Sequence, residues 1–314
     1  MLVRGTTSPG SGTTALLDRS IGWLTEHLDW FRPATWDAHF PPRDFPGTTA
    51  LELLLLCRSL GPRHRDFTAA AADLAEEVVA DPAFLDGLRA ADEQFTYHAW
   101  LVGLLHRLGR PVPWWRAEIT RVLRRGEPWD ARAPWRDFPA WQLELRYALD
   151  LCAVDCRLPA VPDLFARCGI ADRDPALVDD ETAYEITHVL FYATDFGRAP
   201  VPLADEGARR RTGQLVLALV ERYRREGHVD LLAELLLCAA LTEAGGAAAT
   251  AEGWRWLLAA QHERGTLPGP PFSEAVLTER SGLGATSYVF RTCYHTTVVS
   301  ALAAAARDGE EIRP

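Results

Sequence analysis

Glu181, Glu185 and His188 stand at i, i+4 and i+7, so a helix would set two carboxyls and an imidazole on one face. Asp179 and Asp180 come directly before them. Crowded carboxyls raise one another's pKa, which keeps one protonated as a general acid near neutral pH. The same groups suit acid–base chemistry without metal, or a single divalent metal held by Glu185 with His98, His188 or His295. The spacing Glu185-x-x-His188 also occurs in di-iron carboxylate bundles, but those need a second copy and the chain has none. The plain alternative is that each acid near a helix start bonds free backbone N–H groups or caps a loop.

These residues need elements to position them. Alternating β-branched runs are nearly absent, while Ala, Leu, Arg and Glu recur at helical spacing between Pro and Gly clusters. The pattern predicts twelve helices, over 15–30, 47–60, 66–90, 92–108, 113–125, 139–153, 159–169, 179–196, 203–226, 229–244, 248–263 and 290–308. Every second one opens polar and then runs almost wholly apolar, as in TTALELLLLC from Thr48 and DLLAELLLCA from Asp230. A helix apolar all round is buried. Buried and amphipathic helices alternating every ~40–50 residues mark a repeat. The expected fold is all-α, an (α/α)6 toroid of six inner and six outer helices. A single domain over 15–314 follows a disordered lead-in over 1–14. Residues 264–289 form either a lid or a plain linker.

Aligning the inner helices puts Glu52, Trp100, Glu144, Glu185, Glu234 and Thr297 at one depth. His98, Gln142 and His295 fall two residues earlier. Parallel inner helices would bring these groups to one mouth of a cavity, where helix N-termini favour carboxylates and anions. The catalytic candidates are Asp180, Glu181, Glu185, His188, His98 and His295. The substrate-binding candidates are Glu52, Trp100, Trp141, Gln142, Glu144, Tyr184, Glu234 and Tyr294. The aromatic ones read either as core filler or as the wall of a pocket.

Composition closes several routes. The net charge of −10 argues against nucleic acid or an anionic membrane as a main partner. All 33 basic residues are Arg, so a Schiff-base lysine and pyridoxal phosphate are excluded. Walker, Rossmann, HExxH and GxSxG motifs are missing, and no nucleotide cofactor is expected. No apolar run is long enough to span a membrane. The six cysteines include no CxxC and fit buried thiols in a reducing cytoplasm.

Three short segments resemble the superfamily of terpenoid cyclases and protein prenyltransferase β-subunits. Residues 254–267, WRWLLAAQHERGTL, are similar to the QxxxGxW repeat, with Leu267 where Trp is usual. Residues 178–183, VDDETA, resemble the DxDDTA acid motif, with Val178 in place of its first Asp and Asp180 at the proton-donating position. Residues 293–300, CYHTTVVS, resemble the prenyltransferase segment whose His binds zinc. The resemblance implies a metal ligand at His295 and places Asp230 near the position of the zinc-binding Asp. Leu232 stands where the zinc-binding Cys would be.

The expected function is therefore a cyclase-like enzyme, a lyase or isomerase. It would perform cyclisation, isomerisation or elimination on a small, largely apolar biosynthetic substrate. One alternative is a non-catalytic toroid that binds a peptide or partner. Another is a glycoside hydrolase or lyase, which paired carboxyls and Trp stacking would suit.

Overall fold

The computed structural model describes residues 9–125, 138–203, 205–244 and 248–312. Fifteen α-helices and no strands occur among them. The described chain divides into two compact units, one of residues 1–27 with 216–314 and one of residues 28–215.

The larger unit contains α2 (Pro33–His39), α3 (Thr48–Ser59), α4 (Arg65–Ala80), α5 (Pro82–Ala90), α6 (Phe95–Arg107), α7 (Trp115–Arg125), α8 (Pro139–Leu151), α9 (Val161–Cys168) and α10 (Asp180–Ala193). The helices α3, α6, α8 and α10 pack in that order, each against the next, while α4, α5 and α9 cover them. α7 shows why the covering helices form: Trp115, Ile119 and Val122 make one buried stripe, and its arginines face water. The segment 66–90, expected as one helix, is two. Pro82 cannot continue α4, and the Asp81 carboxylate caps α5 by accepting from the Ala83 N–H at 2.9 Å.

The smaller unit holds α1 (Pro9–Glu26), α12 (Val229–Leu241), α13 (Ala248–Ala260), α14 (Glu274–Thr278) and α15 (Gly282–Ile312). The division between the units falls within α11 (Glu206–Glu226). α12 packs on α13 and α15, and α1 packs on α15 and α13. α1 begins at Pro9, inside the expected lead-in; residues 1–8 lie outside the described residues.

The segment 264–289 differs from both expectations. Residues 282–289 are the first turns of α15, and residues 274–278 form α14. The rest is a strap fixed along its length. Gln261 donates to Leu16 O, Ser20 Oγ and Gly265 O at 3.0–3.1 Å. Gly265 has φ +97°, and a Cβ there would lie 2.1 Å from Arg19 O, so only glycine fits. Leu267 N–H donates to Thr297 Oγ1 at 3.0 Å, Gly269 N–H to Thr292 O at 3.0 Å, and Ser273 N–H to the Tyr288 hydroxyl at 2.8 Å. The Gln, Gly and Leu of the QxxxGxW-like segment thus bind the strap to α1 and α15.

All six cysteines are free thiols and five are buried. Burial raises every one of them, Cys57 to about 12, so none is a thiolate at neutral pH. No described helix is long and apolar enough to cross a membrane.

Candidate functional site

Residues Val229 to Ala239 of α12 are all buried, and Asp230 and Glu234 are the only charged side chains among them. They stand one turn apart, so they share a face. Asp230 lies in the first turn of the helix, where unpaired N–H dipoles favour a carboxylate. His228 caps that turn, its Nδ1 accepting from the Leu231 N–H at 3.2 Å.

Across from them on α15 stands His295. Its Nε2 is 3.8 Å from Asp230 Oδ2 and 4.0 Å from Glu234 Oε1. One ligand atom from each residue can be chosen so that all three lie within 4.8 Å of one another. The carboxylate side chains are 3% and 2% exposed, whereas the imidazole is 43% exposed, so the group is closed beneath and open on the histidine side. The Thr296 hydroxyl donates to Asp230 Oδ1 at 2.6 Å, which orients that carboxylate and leaves Oδ2 toward His295. One turn beyond Glu234, burial and the Glu234 charge hold the Cys238 thiol well above its ordinary range. The donors on offer are two carboxylate oxygens and an imidazole nitrogen, without a thiolate.

The larger unit has a different carboxyl. Glu144 on α8 is half-buried and accepts from the Tyr192 hydroxyl at 3.2 Å. Burial pushes its pKa up to about 7, and its charge raises Tyr97 to about 12. Trp100 packs edge-on against Tyr147 and Tyr192 at 5.5 and 5.3 Å, and stacks with Tyr97 at 6.5 Å. Beneath this cluster Arg58 holds Asp195 through two bonds of 2.6 and 2.9 Å and donates to the Tyr147 hydroxyl at 3.0 Å. Asp195 and Phe196, at φ +46° and +53°, end α10 in a left-handed turn that this anchor supports.

The profile of a domain of unknown function, DUF6895, matches residues 17–305. The chain belongs to this family. No curated protein and no solved structure matches it.

In this DUF6895 chain the residues of the expected ring fall in both units. Glu234 and His295 lie in the smaller unit; Glu52, Trp100, Glu144 and Glu185 lie in the larger. Asp180, Glu181, Glu185 and His188 are exposed. Asp179 caps α10, accepting from the Thr182 N–H at 2.8 Å, and Glu185 pairs with Arg173 at 2.9 Å. His98 is buried between Phe45 and Phe84, at 4.8 Å from each. Its Nδ1 bonds Gln94 O at 2.9 Å, and a Cβ on Gly87 would lie 2.5 Å from its Nε2, so the missing side chain of α5 makes its space. Burial lowers the pKa of His98.

Of the binding candidates, Trp141 is 50% exposed and packs on Phe138. Gln142 accepts from Arg167 at 3.1 Å. Tyr294 is buried and stacks on Phe290 at 5.3 Å. Glu52 is half-buried on α3. Tyr184 lies 6.4 Å from His188, which in turn lies 5.9 Å from Tyr192. Alignment by depth missed Tyr147, Tyr192 and Thr296. The first two stand three and four residues after Glu144 and His188, a spacing that places them one turn deeper on the same faces.

Proposed function

We propose that the chain is a metal-dependent lyase or isomerase of the terpenoid-cyclase-like kind, acting on a small, largely apolar biosynthetic substrate. Its centre is the group Asp230, Glu234 and His295, holding one divalent cation. The observation that carries the reading is the meeting of two almost fully buried carboxylates with one half-open imidazole. Two adjacent carboxylates are costly to bury, and a divalent cation would stabilise both.

The donor set fits such an ion. Three protein ligands with one open side are the usual arrangement at a catalytic zinc, and oxygen with imidazole nitrogen also suits manganese or ferrous iron. Tetrahedral ligands about 2.0–2.2 Å from zinc would stand roughly 3.3–3.6 Å apart, so the three side chains, within 4.8 Å of one another here, would close by up to about 1 Å around an ion. A cation held there supplies Lewis acidity toward a substrate oxygen or lowers the pKa of a water. The protein's share is to hold Asp230 through Thr296 and to leave the His295 side accessible. The same reading carries the (α/α)6 toroid as its fold. Its support is the alternation of apolar and amphipathic helices and the sequential packing of α3, α6, α8 and α10 in one unit and of α12 with α15 in the other.

A second reading is favoured by the Thr296–Asp230 bond: the group is a clasp between α12 and α15 without chemistry. One experiment separates the two. The purified chain is stripped with chelator, reloaded with zinc or manganese, and incubated with isoprenoid diphosphates and oxidosqualene-like substrates. The expected result is one ion per chain, lost in Asp230→Asn and His295→Ala, and products that depend on the ion. Failure to bind any ion would leave the clasp; binding without turnover of these substrates would remove their class.

A further inference from the structure

The Glu144 cluster lies outside the metal reading. Elsewhere in its unit, the carboxylates with the clearest contacts are matched by arginines: Asp195 by Arg58, Glu118 by Arg89 and Arg121, Asp150 by Arg146, and Glu185 by Arg173. Glu144 meets no arginine among the described residues, only the hydroxyl of Tyr192. It keeps accessible surface, while Leu143 and Leu145 beside it are buried. Its carboxyl is therefore only partly hydrated, beside the ring of Tyr192.

The Tyr192 that bonds this carboxyl belongs to a cluster of aromatic rings. Tyr97 and Trp100 come from α6, Tyr147 from α8, and Tyr192 from α10. The Trp100 indole is 4% exposed, and its Nε1 has no hydrogen-bond acceptor among the described residues. A buried N–H left so is a cost that a bound acceptor removes. Aromatic faces attract cations most strongly where water is scarce, and a carboxylate among them adds a full opposite charge.

We infer that the cluster of Glu144, Tyr97, Trp100, Tyr147 and Tyr192 binds a small organic ammonium ion that also carries an oxygen acceptor. The cation supplies a counter-charge that Glu144 does not receive from the described residues, the rings meet its alkyl groups, and the oxygen meets Trp100 Nε1. A metal ion fits less well, since Glu144 is the only carboxylate in the group and tyrosine hydroxyls and rings are poor ligands for hard cations. Its residues all belong to the larger unit, whereas the Asp230 centre belongs to the smaller.

Choline is a suitable probe, because 3,3-dimethylbutan-1-ol has nearly its shape without its charge. Binding to the full chain is followed by tryptophan fluorescence and calorimetry. The expected result is saturable choline binding, at least tenfold tighter than that of the uncharged alcohol and at least tenfold weakened in Glu144→Gln. The groups facing Glu144 are Tyr97 and Tyr147, both raised in pKa by their surroundings, and Tyr192 with His188 behind it; the paired Arg58 and Asp195 lie beyond Tyr147. Affinity should therefore fall about tenfold from pH 8 to pH 6 as Glu144 gains its proton. His188→Gln, which removes the other titrating group, should keep that fall. Trp100→Phe keeps a ring but no N–H and should weaken choline more than tetramethylammonium, which has no oxygen. Binding in Asp230→Asn should be unchanged. Equal affinity for the uncharged alcohol, an unaltered Glu144→Gln with native helix content, or no binding of either ammonium ion would each overturn the proposal.

Discussion

α10 and α12 carry acids in opposite ways. α10 opens with Asp179, Asp180 and Glu181 and continues to Glu185, and all four stand in water. α12 has only Asp230 and Glu234, and both are buried. In α10 each acid with a described bond serves the chain itself, as a cap on Thr182 or a pair with Arg173. In α12 the acids face a histidine across a helix contact. The number of acids on a helix is therefore a poor guide to chemistry. An exposed carboxylate costs nothing to keep, whereas a buried one persists only where something compensates it.

The sharpest way to break this contrast is at Glu234. In chelator, Glu234→Leu removes one of two adjacent buried charges and fills its space with apolar atoms. Denaturant unfolding should show a chain no less stable than the parent, because the two acids no longer repel each other. Reloaded with zinc or manganese, the same variant should bind at least a hundredfold more weakly than the parent. A destabilised variant in chelator would mean that Glu234 satisfies structural donors, and α12 would then resemble α10.

Glu144 on α8 is an intermediate case, half-buried and without an arginine partner among the described residues. Its pKa is about 7 in the folded chain, against ~4.3 for an unperturbed Glu. Below pH 4 both states are protonated and the folded chain loses nothing. As pH rises toward 7 the unfolded chain releases its proton first, so stability falls, by up to about 3 kcal/mol, and then levels above pH 8. Glu144→Gln should remove that part of the slope, measured as the difference between the two proteins from pH 4.5 to 8. Parallel curves would show that Glu144 is better solvated than its surroundings indicate.

Much of the fold was legible because its signals are local. The all-helical class and all twelve predicted segments appear, and the break at Asp81-Pro82 was written in the sequence although one helix was expected there. α2 and α14 were missed, being short helices without a full apolar stripe. The site was legible only in part, because burial is a tertiary property. Glu234 and Glu185 take the same place in the repeat, yet only Glu234 is enclosed. His98 and His295 also align, but α5 covers the first and leaves its imidazole a packing role. The pairing of Asp230 with His295 rests on a contact between residues 65 positions apart, which no spacing rule reports.

At the start of α10, Asp179→Ala deletes the side-chain acceptor of the Thr182 N–H. The expected cost is about 1 kcal/mol, the usual value of an N-cap, with no change in metal content. The neighbouring Asp180→Asn should cost less, because a first-turn carboxylate contributes only about 0.3–1 kcal/mol through the helix dipole. A loss of ion binding in either variant would give the acid motif a role that its capping geometry does not require.

The smallest effect should come from Glu185→Gln. Glu185 lies in the most acidic helix opening and at the depth of Glu234, so sequence alone gives it equal standing as a catalytic carboxyl. In the fold its side chain is 44% exposed, and its bond to Arg173 at 2.9 Å lies at the surface. Such pairs contribute about 0–0.5 kcal/mol after screening and the entropy of two long side chains are counted. Glutamine keeps an oxygen for Arg173 and removes only the charge. Thermal midpoint, ion content and choline affinity should all stay within error of the parent, and the small stability change should vanish in 0.5 M salt. A Glu185→Gln protein that folds normally yet loses turnover would place a reacting group on α10 and reverse the contrast with α12, since an exposed acid would then be doing what burial was argued to mark.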